Sequence, residues 1–214
     1  MIEVDPSTLS RIVVGVDPSV TSGENADETG IIVAGLGPHQ PDSCSTPSCD
    51  AHAYILADAS EPAAAKNSVN RWVEKVVATY DEWGASLVVI EGNQGQELLE
   101  MALRTVRPGI PVKRPNAGES KAARAEPVVA LYEQGRVHHV GPPERFAKLE
   151  EQMTTWVPPA PGKRGARSPD RLDALVWAVA ELNIQGRRGR RRWDDVSPVG
   201  MPQANPWAGL GPLL

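Results

Sequence analysis

The 214-residue chain has little of what marks a secreted or membrane-bound protein. Two cysteines cannot make a disulfide scaffold. No apolar run approaches the roughly 18–20 residues of a membrane span. The first residues, MIEVDPSTLSRIVVGV, lack the basic stretch and apolar block of a secretory signal. Phenylalanine occurs once, beside three tyrosines and six tryptophans, and these rings fall mainly at helical spacing. They read as core packing rather than as platforms for stacked bases. Excess positive charge is also missing: the formal net charge is −5, which argues against a protein that coats nucleic acid. What is present is ordinary for a folded chain, with 41% hydrophobic and 23% charged residues.

Charge and composition divide the chain into three parts. Residues 1–10 are a lead, 11–185 a single folded domain, and 186–214 a Gly/Pro/Arg-rich tail that reads as flexible. The tail carries five arginines against two aspartates, net +3, which leaves −8 on the preceding 185 residues. Within the domain, Arg11 to Val16 (RIVVGV), Gly30 to Leu36 (GIIVAGL) and Ala53 to Ala57 (AYILA) read as buried strands in an antiparallel meander. Val69, Trp72, Val73, Val76, Val77 and Tyr80 recur at spacings of three and four, which predicts an amphipathic helix over 61–83. Ser86 to Ile90 is read as a fourth strand and Pro111 to Arg114 as a short fifth, with Val137 to Val140 as a further short extended piece. Further helices are predicted over 96–105, 120–134, 147–156 and 170–183, the last with Ser168 as N-cap and Pro169 in its first turn. The expected fold is α/β: a mixed central sheet of about five strands, the first three antiparallel, with helices on both faces.

The carboxylates carry the chemistry. Asp17 directly follows RIVVGV and Glu91 directly follows SLVVI, so each closes a buried strand at its C-terminal end. If these two strands are neighbours, about 4.8 Å apart, the acids share one space. Asp170 and Asp173, three apart, lie on one face at the head of the last helix. Each acid also has a bland reading. Asp17 sits in an Asp-Pro-Ser turn, and Asp170 complements a helix dipole. Together, however, such acids raise one another's pKa unless a cation intervenes. Oxygen-only donors suit Mg2+ or Mn2+, and two such ions about 3.5–4 Å apart serve phosphodiester cleavage.

The blocks VVGVDPS, ADETGIIVAG, VVIEGNQG, GESKAARAEPVVALYEQGRVHHVG, LEEQMTTW and SPDRLDALVWAVAEL occur in that order. This series resembles the nuclease domain of the large terminase subunit of tailed bacteriophages over residues 11–185. The resemblance implies a ribonuclease H-like fold and a metal-dependent endonuclease that cuts concatemeric viral DNA. It implies Asp17, Glu91 and Asp173 as catalytic metal ligands, with Asp170 as a further ligand or supporting acid. It also implies Mg2+ or Mn2+ as cofactor, two ions with DNA bound. The implied setting is the cytoplasm of an infected bacterium, with double-stranded viral DNA, the small terminase subunit and the portal as partners, no membrane, and a monomeric isolated domain. Asp-x-x-Asp also resembles RuvC-type junction resolvases. A branched-DNA resolvase and a non-catalytic DNA- or portal-docking module are the alternatives. The Gly-x-x-x-x-Gly-Lys-Ser/Thr loop of the terminase ATPase does not occur here, so ATP hydrolysis is not expected of this chain.

Lys121 and Arg124, on one helix face, are candidate phosphate contacts, as are Lys163, Arg164 and Arg167 in the loop before Asp170, and Arg171 between the acids. Lys113 and Arg114 could extend the groove. None of these reads base edges, so little sequence specificity is expected. His138 and His139 are read as structural rather than as proton carriers. Between the second and third strands the chain departs from the family by inserting GPHQPDSCSTPSCDAH. Its His39, Cys44, Cys49 and His52 are four potential ligands, but their spacing of four, four and two matches no common finger or knuckle. The insertion is therefore read as an exposed loop, with zinc disfavoured and oxidation of the Cys44–Cys49 pair as a lesser alternative.

Overall fold

Apolar β-branched runs flanked by acids, glycines and prolines build a six-stranded sheet in this computed structural model, which describes residues 3–18, 28–40, 44, 49, 51–62, 68–91, 97–115, 120–157, 169–184 and 207. The strands are β1 (Arg11–Asp17), β2 (Gly30–Pro38), β3 (Ala51–Asp58), β4 (Leu87–Ile90), β5 (Val112–Lys113) and β6 (Val137–His139), in the spatial order β5-β4-β1-β2-β3-β6. The first three form the expected antiparallel meander. β4 lies parallel to β1, β5 parallel to β4, and β6 parallel to β3. The extended piece at 137–140 is thus a sixth strand, added at the edge beside β3.

The helices are α1 (Ser68–Glu82), α2 (Glu97–Val106), α3 (Lys121–Glu133), α4 (Ala147–Thr155) and α5 (Asp170–Leu182). Side chains alternate across a strand, so β1 sends Val13 to one face and Val14 and Val16 to the other. The first face packs under α3, α4 and α5, and the second under Trp72, Val73 and Val76 of α1 and Leu103 of α2. Burying each large aliphatic side chain contributes roughly 1.5–3 kcal/mol. The period-3.6 stripe of α1 is thereby satisfied, but its predicted start is not: Glu61 instead bridges Thr29 in a short antiparallel contact.

Helix α5 is the centrepiece of its layer. Every residue from Asp170 to Val179 is buried, including both acids. Its N-cap is Pro169, one residue later than the sequence reading placed it, and no side chain caps it. Two glycines set its depth. A Cβ on Gly15 of β1 would overlap the Ala174 carbonyl oxygen, and one on Gly30 of β2 would overlap the Asp170 carbonyl. The helix therefore rests backbone against backbone on the sheet, at the end where β1 stops. Trp207, within the stretch read as a flexible tail, is fully buried against the α3–α5 layer, its ring 5.5 Å from that of Tyr132. The neighbouring tail residues lie outside the described ones.

Candidate functional site

Parallel pairing of β1 with β4 puts Val16 opposite Ile90, so the next residues, Asp17 and Glu91, emerge side by side. The first turn of α5, seated on Gly15 and Gly30, adds Asp170 and Asp173. All four acids are at most 5% exposed. Their charges meet at Asp17. Its carboxyl is pushed up to about 9, first by burial, then by Asp173, and further by Glu91 and Asp170, with Lys121 acting in the opposite direction. Its Oδ2 is buried with no hydrogen-bond partner. The strand ends and the helix head thus converge as the spacing led one to expect.

Two cations from α3 face this cluster. Ser120 caps α3 by accepting the Ala123 amide, which directs Lys121 and Arg124 at the acids. Lys121 Nζ is ion-paired with Asp173 and lies 3.9 Å from Asp17 Oδ2. Burial disfavours the charge on Lys121, but Asp173 and Asp17 outweigh it and raise its pKa. Arg124 Nη2 donates to Glu91 Oε1 at 3.2 Å, and its guanidinium lies over the Trp177 ring, 4.4 Å from the centroid. Its Nη1 is buried with no hydrogen-bond partner.

The other predicted contacts fare differently. Arg171 does not face solvent. It is 5% exposed and ion-paired with both Glu28 and Asp58, so its guanidinium fastens α5 to β3 and to the segment before β2. Asp58 was missed by the sequence reading although it closes a strand as Asp17 and Glu91 do, opposite Ile32 at the same end of the sheet. Lys113 pairs with Glu181 at 2.6 Å and Arg114 with Glu100 at 2.8 Å. Lys163, Arg164 and Arg167 lie outside the described residues. His139 bonds Tyr132 Oη at 2.8 Å and Glu150 Oε1 at 2.8 Å, and His138 contacts His52, so both sit beside β3, away from the acids.

The insertion is more than an exposed loop. His39, Cys44, Cys49 and His52 offer ligand atoms that all lie within 4.8 Å of one another, and His52 is fully buried. Sequence spacing hid this. The hairpin register, Gly37 opposite His52 and Pro38 opposite Ala51, closes the loop whatever its internal spacing.

Among the described residues, no helix is long and apolar enough to cross a membrane. No curated protein sequence matches the chain. Solved structures show the fold. The large terminase nuclease from thermophilic phage G20c superposes with a TM-score of 0.51 at 17% identity, covering 80% of this chain and 82% of that one. The nuclease domain of the large terminase subunit gp2 of bacterial virus Sf6 gives a TM-score of 0.52 at 14% identity, covering 79% and 87%. A K428A mutant of the Sf6 domain, solved with manganese and beta-thujaplicinol, gives 0.52 at 15% identity over the same shares. Residues 14–182 match the family model described as the Terminase RNaseH-like domain, a span that holds Asp17, Glu91, Asp170 and Asp173, and on that match the chain belongs to the terminase ribonuclease H-like domains.

Proposed function

We propose that this chain is the Mg2+- or Mn2+-dependent endonuclease domain of a phage large terminase subunit, cutting concatemeric viral DNA during packaging. The observation that carries the proposal is Asp17: a buried carboxylate oxygen without a hydrogen bond, in a group that burial and then three further acids push up to about 9 against the opposing charge of Lys121. Such a group is stable as a charge only beside a cation. The donors are all oxygens, which fits a hard dication and not zinc. The manganese-containing Sf6 structure is consistent with that choice.

Asp17, Glu91 and Asp173 would hold the ions, with Asp170 supporting them. Bound Mg2+ or Mn2+ supplies Lewis-acid stabilisation of the phosphate's developing charge and a lowered pKa for the attacking water. The chain's own residues do the positioning. Arg124 orients Glu91 and keeps Nη1 as a donor for a phosphate oxygen. Lys121 bridges Asp173 and Asp17 and, about a third exposed, can turn towards a bound phosphate. Lys163, Arg164 and Arg167 are the proposed further contacts to the DNA backbone. The partners and setting proposed are the small terminase subunit and portal, in the cytoplasm of the infected cell.

The test is plasmid digestion with Mn2+, Mg2+, Ca2+ or EDTA, run beside Asp17→Asn. Nicking that needs Mn2+ or Mg2+ and falls at least about a hundredfold in the variant is expected, the equivalent of several kcal/mol of Lewis-acid stabilisation. Unchanged nicking in a folded Asp17→Asn protein would leave a docking module as the reading, and preference for four-way junctions over linear or supercoiled DNA would favour a resolvase.

A further inference from the structure

We propose that His39, Cys44, Cys49 and His52 form a structural zinc site that closes the β2–β3 hairpin at the end of the sheet opposite the carboxylates. Cys49 is the hub. Its Sγ lies 2.9 Å from His39 Nδ1, 3.0 Å from Cys44 Sγ and 3.1 Å from His52 Nε2. With Zn–S about 2.3 Å and Zn–N about 2.0–2.1 Å, a tetrahedral site has ligand–ligand edges of roughly 3.3–3.8 Å. Shifts of about 1 Å, opening the three short contacts at Cys49 and closing the longer separations of up to 4.8 Å, therefore admit an ion at the centre. Both cysteines are free thiols. Two sulfurs and two imidazoles are a soft to borderline donor set, the opposite of the acids at the other end, and select zinc over Mg2+ or Mn2+.

The surroundings are built as a metal site requires. A ligating histidine uses one ring nitrogen for the metal and donates a proton from the other to a fixed acceptor. His52 is placed for this: Nε2 faces Cys49, and Nδ1 lies 2.6 Å from Nε2 of buried His138, which accepts the proton in the tautomer that leaves His52 Nε2 free for a metal, and whose ring stacks on it at 4.9 Å. The strand end bearing His52 is anchored as well. Arg136 Nη2 donates to the Ala51 carbonyl at 3.2 Å and to the Ile184 carbonyl, just after α5, at 2.7 Å. Distance from the acids follows from register. Asp17 pairs with Gly30 at one end of β2, whereas Gly37 pairs with His52 at the other, about 20 Å away at the rise of a strand. The ion would tie the end of β2, the insertion and the start of β3 into one unit, and would take no part in phosphate chemistry.

Metal analysis of the full chain, purified under reducing conditions without chelator, tests this. About one zinc per chain is expected, with its loss in the Cys44→Ser/Cys49→Ser variant and a fall in Tm of the parent protein on chelation. Co2+ loaded in place of zinc should show thiolate charge-transfer and tetrahedral d–d absorption, a readout independent of whether the serine variant folds. Asp17→Asn should keep its full zinc content, so failure of the nuclease reading and failure of this one are distinguishable. A folded, reduced protein that binds neither Zn2+ nor Co2+, zinc retained by the double-serine variant, or a Cys44–Cys49 disulfide in protein freshly isolated from cells would each overturn the proposal.

Discussion

The two ends of the central sheet use opposite donor chemistry. At one end, strand termini and the head of α5 bring four hard carboxylates into a buried space. At the other, a hairpin gathers two thiols and two imidazoles. The first cluster is a set of like charges that the fold holds together against repulsion, with Lys121 and Arg124 as partial relief. The second joins two thiols, which a metal binds as thiolates with release of their protons, to two imidazoles, which ligate as the neutral ring. On the readings proposed above, one end would bind an ion and act on a substrate, and the other would bind an ion and stay closed.

The difference can be broken most sharply at Asp17. Asn is isosteric and neutral, so Asp17→Asn should fold and keep its zinc while Mn2+-dependent cleavage drops at least about a hundredfold. Arg171→Ala should be the most damaging change to stability, because it leaves the Asp58 carboxylate buried without its partner. Removing one member of a buried ion pair costs about 3–5 kcal/mol, read as a lower midpoint in urea. Adding Mg2+ or Mn2+ should stabilise the wild type by about 2.7 kcal/mol at a hundredfold excess over Kd, measured by thermal shift, and do much less for Asp17→Asn. The smallest effect is expected from Gly15→Ala, whose methyl must push α5 away from β1. Overpacking of this kind costs about 1–3 kcal/mol. It should also lower cleavage more than its loss of Tm explains, since Asp170 and Asp173 move with the helix.

Legibility differed between the ends for a physical reason. Asp17 and Glu91 were visible because a charge closing a fully apolar strand is conspicuous, and Asp170 and Asp173 because a three-residue spacing defines a helix face. The parallel pairing of β1 with β4 then supplied the contact that the sequence could only make conditional. Arg171 was misjudged because a sequence shows a cation between two acids but not the more distant Glu28 and Asp58 that claim it. The convergence of the His/Cys cluster was not legible because its ligand spacing matches no finger or knuckle, whose loops close themselves. Here strands β2 and β3 close the loop, and pairing register leaves no trace in spacing. Trp207 belongs with these misses: its Gly/Pro-rich neighbours say nothing of the core into which its ring inserts.

The chain order of the acids has a consequence for synthesis. Asp17 and Glu91 leave the ribosome well before Asp170 and Asp173, which reside on α5. A growing chain that has not yet exposed α5 holds only half of the acid cluster and none of the helix that seats the rest. If the acids bind metal as proposed, the site would be kept incomplete by translation itself until α5 has left the exit tunnel and its Ala174–Ala178 turn has docked over Gly15.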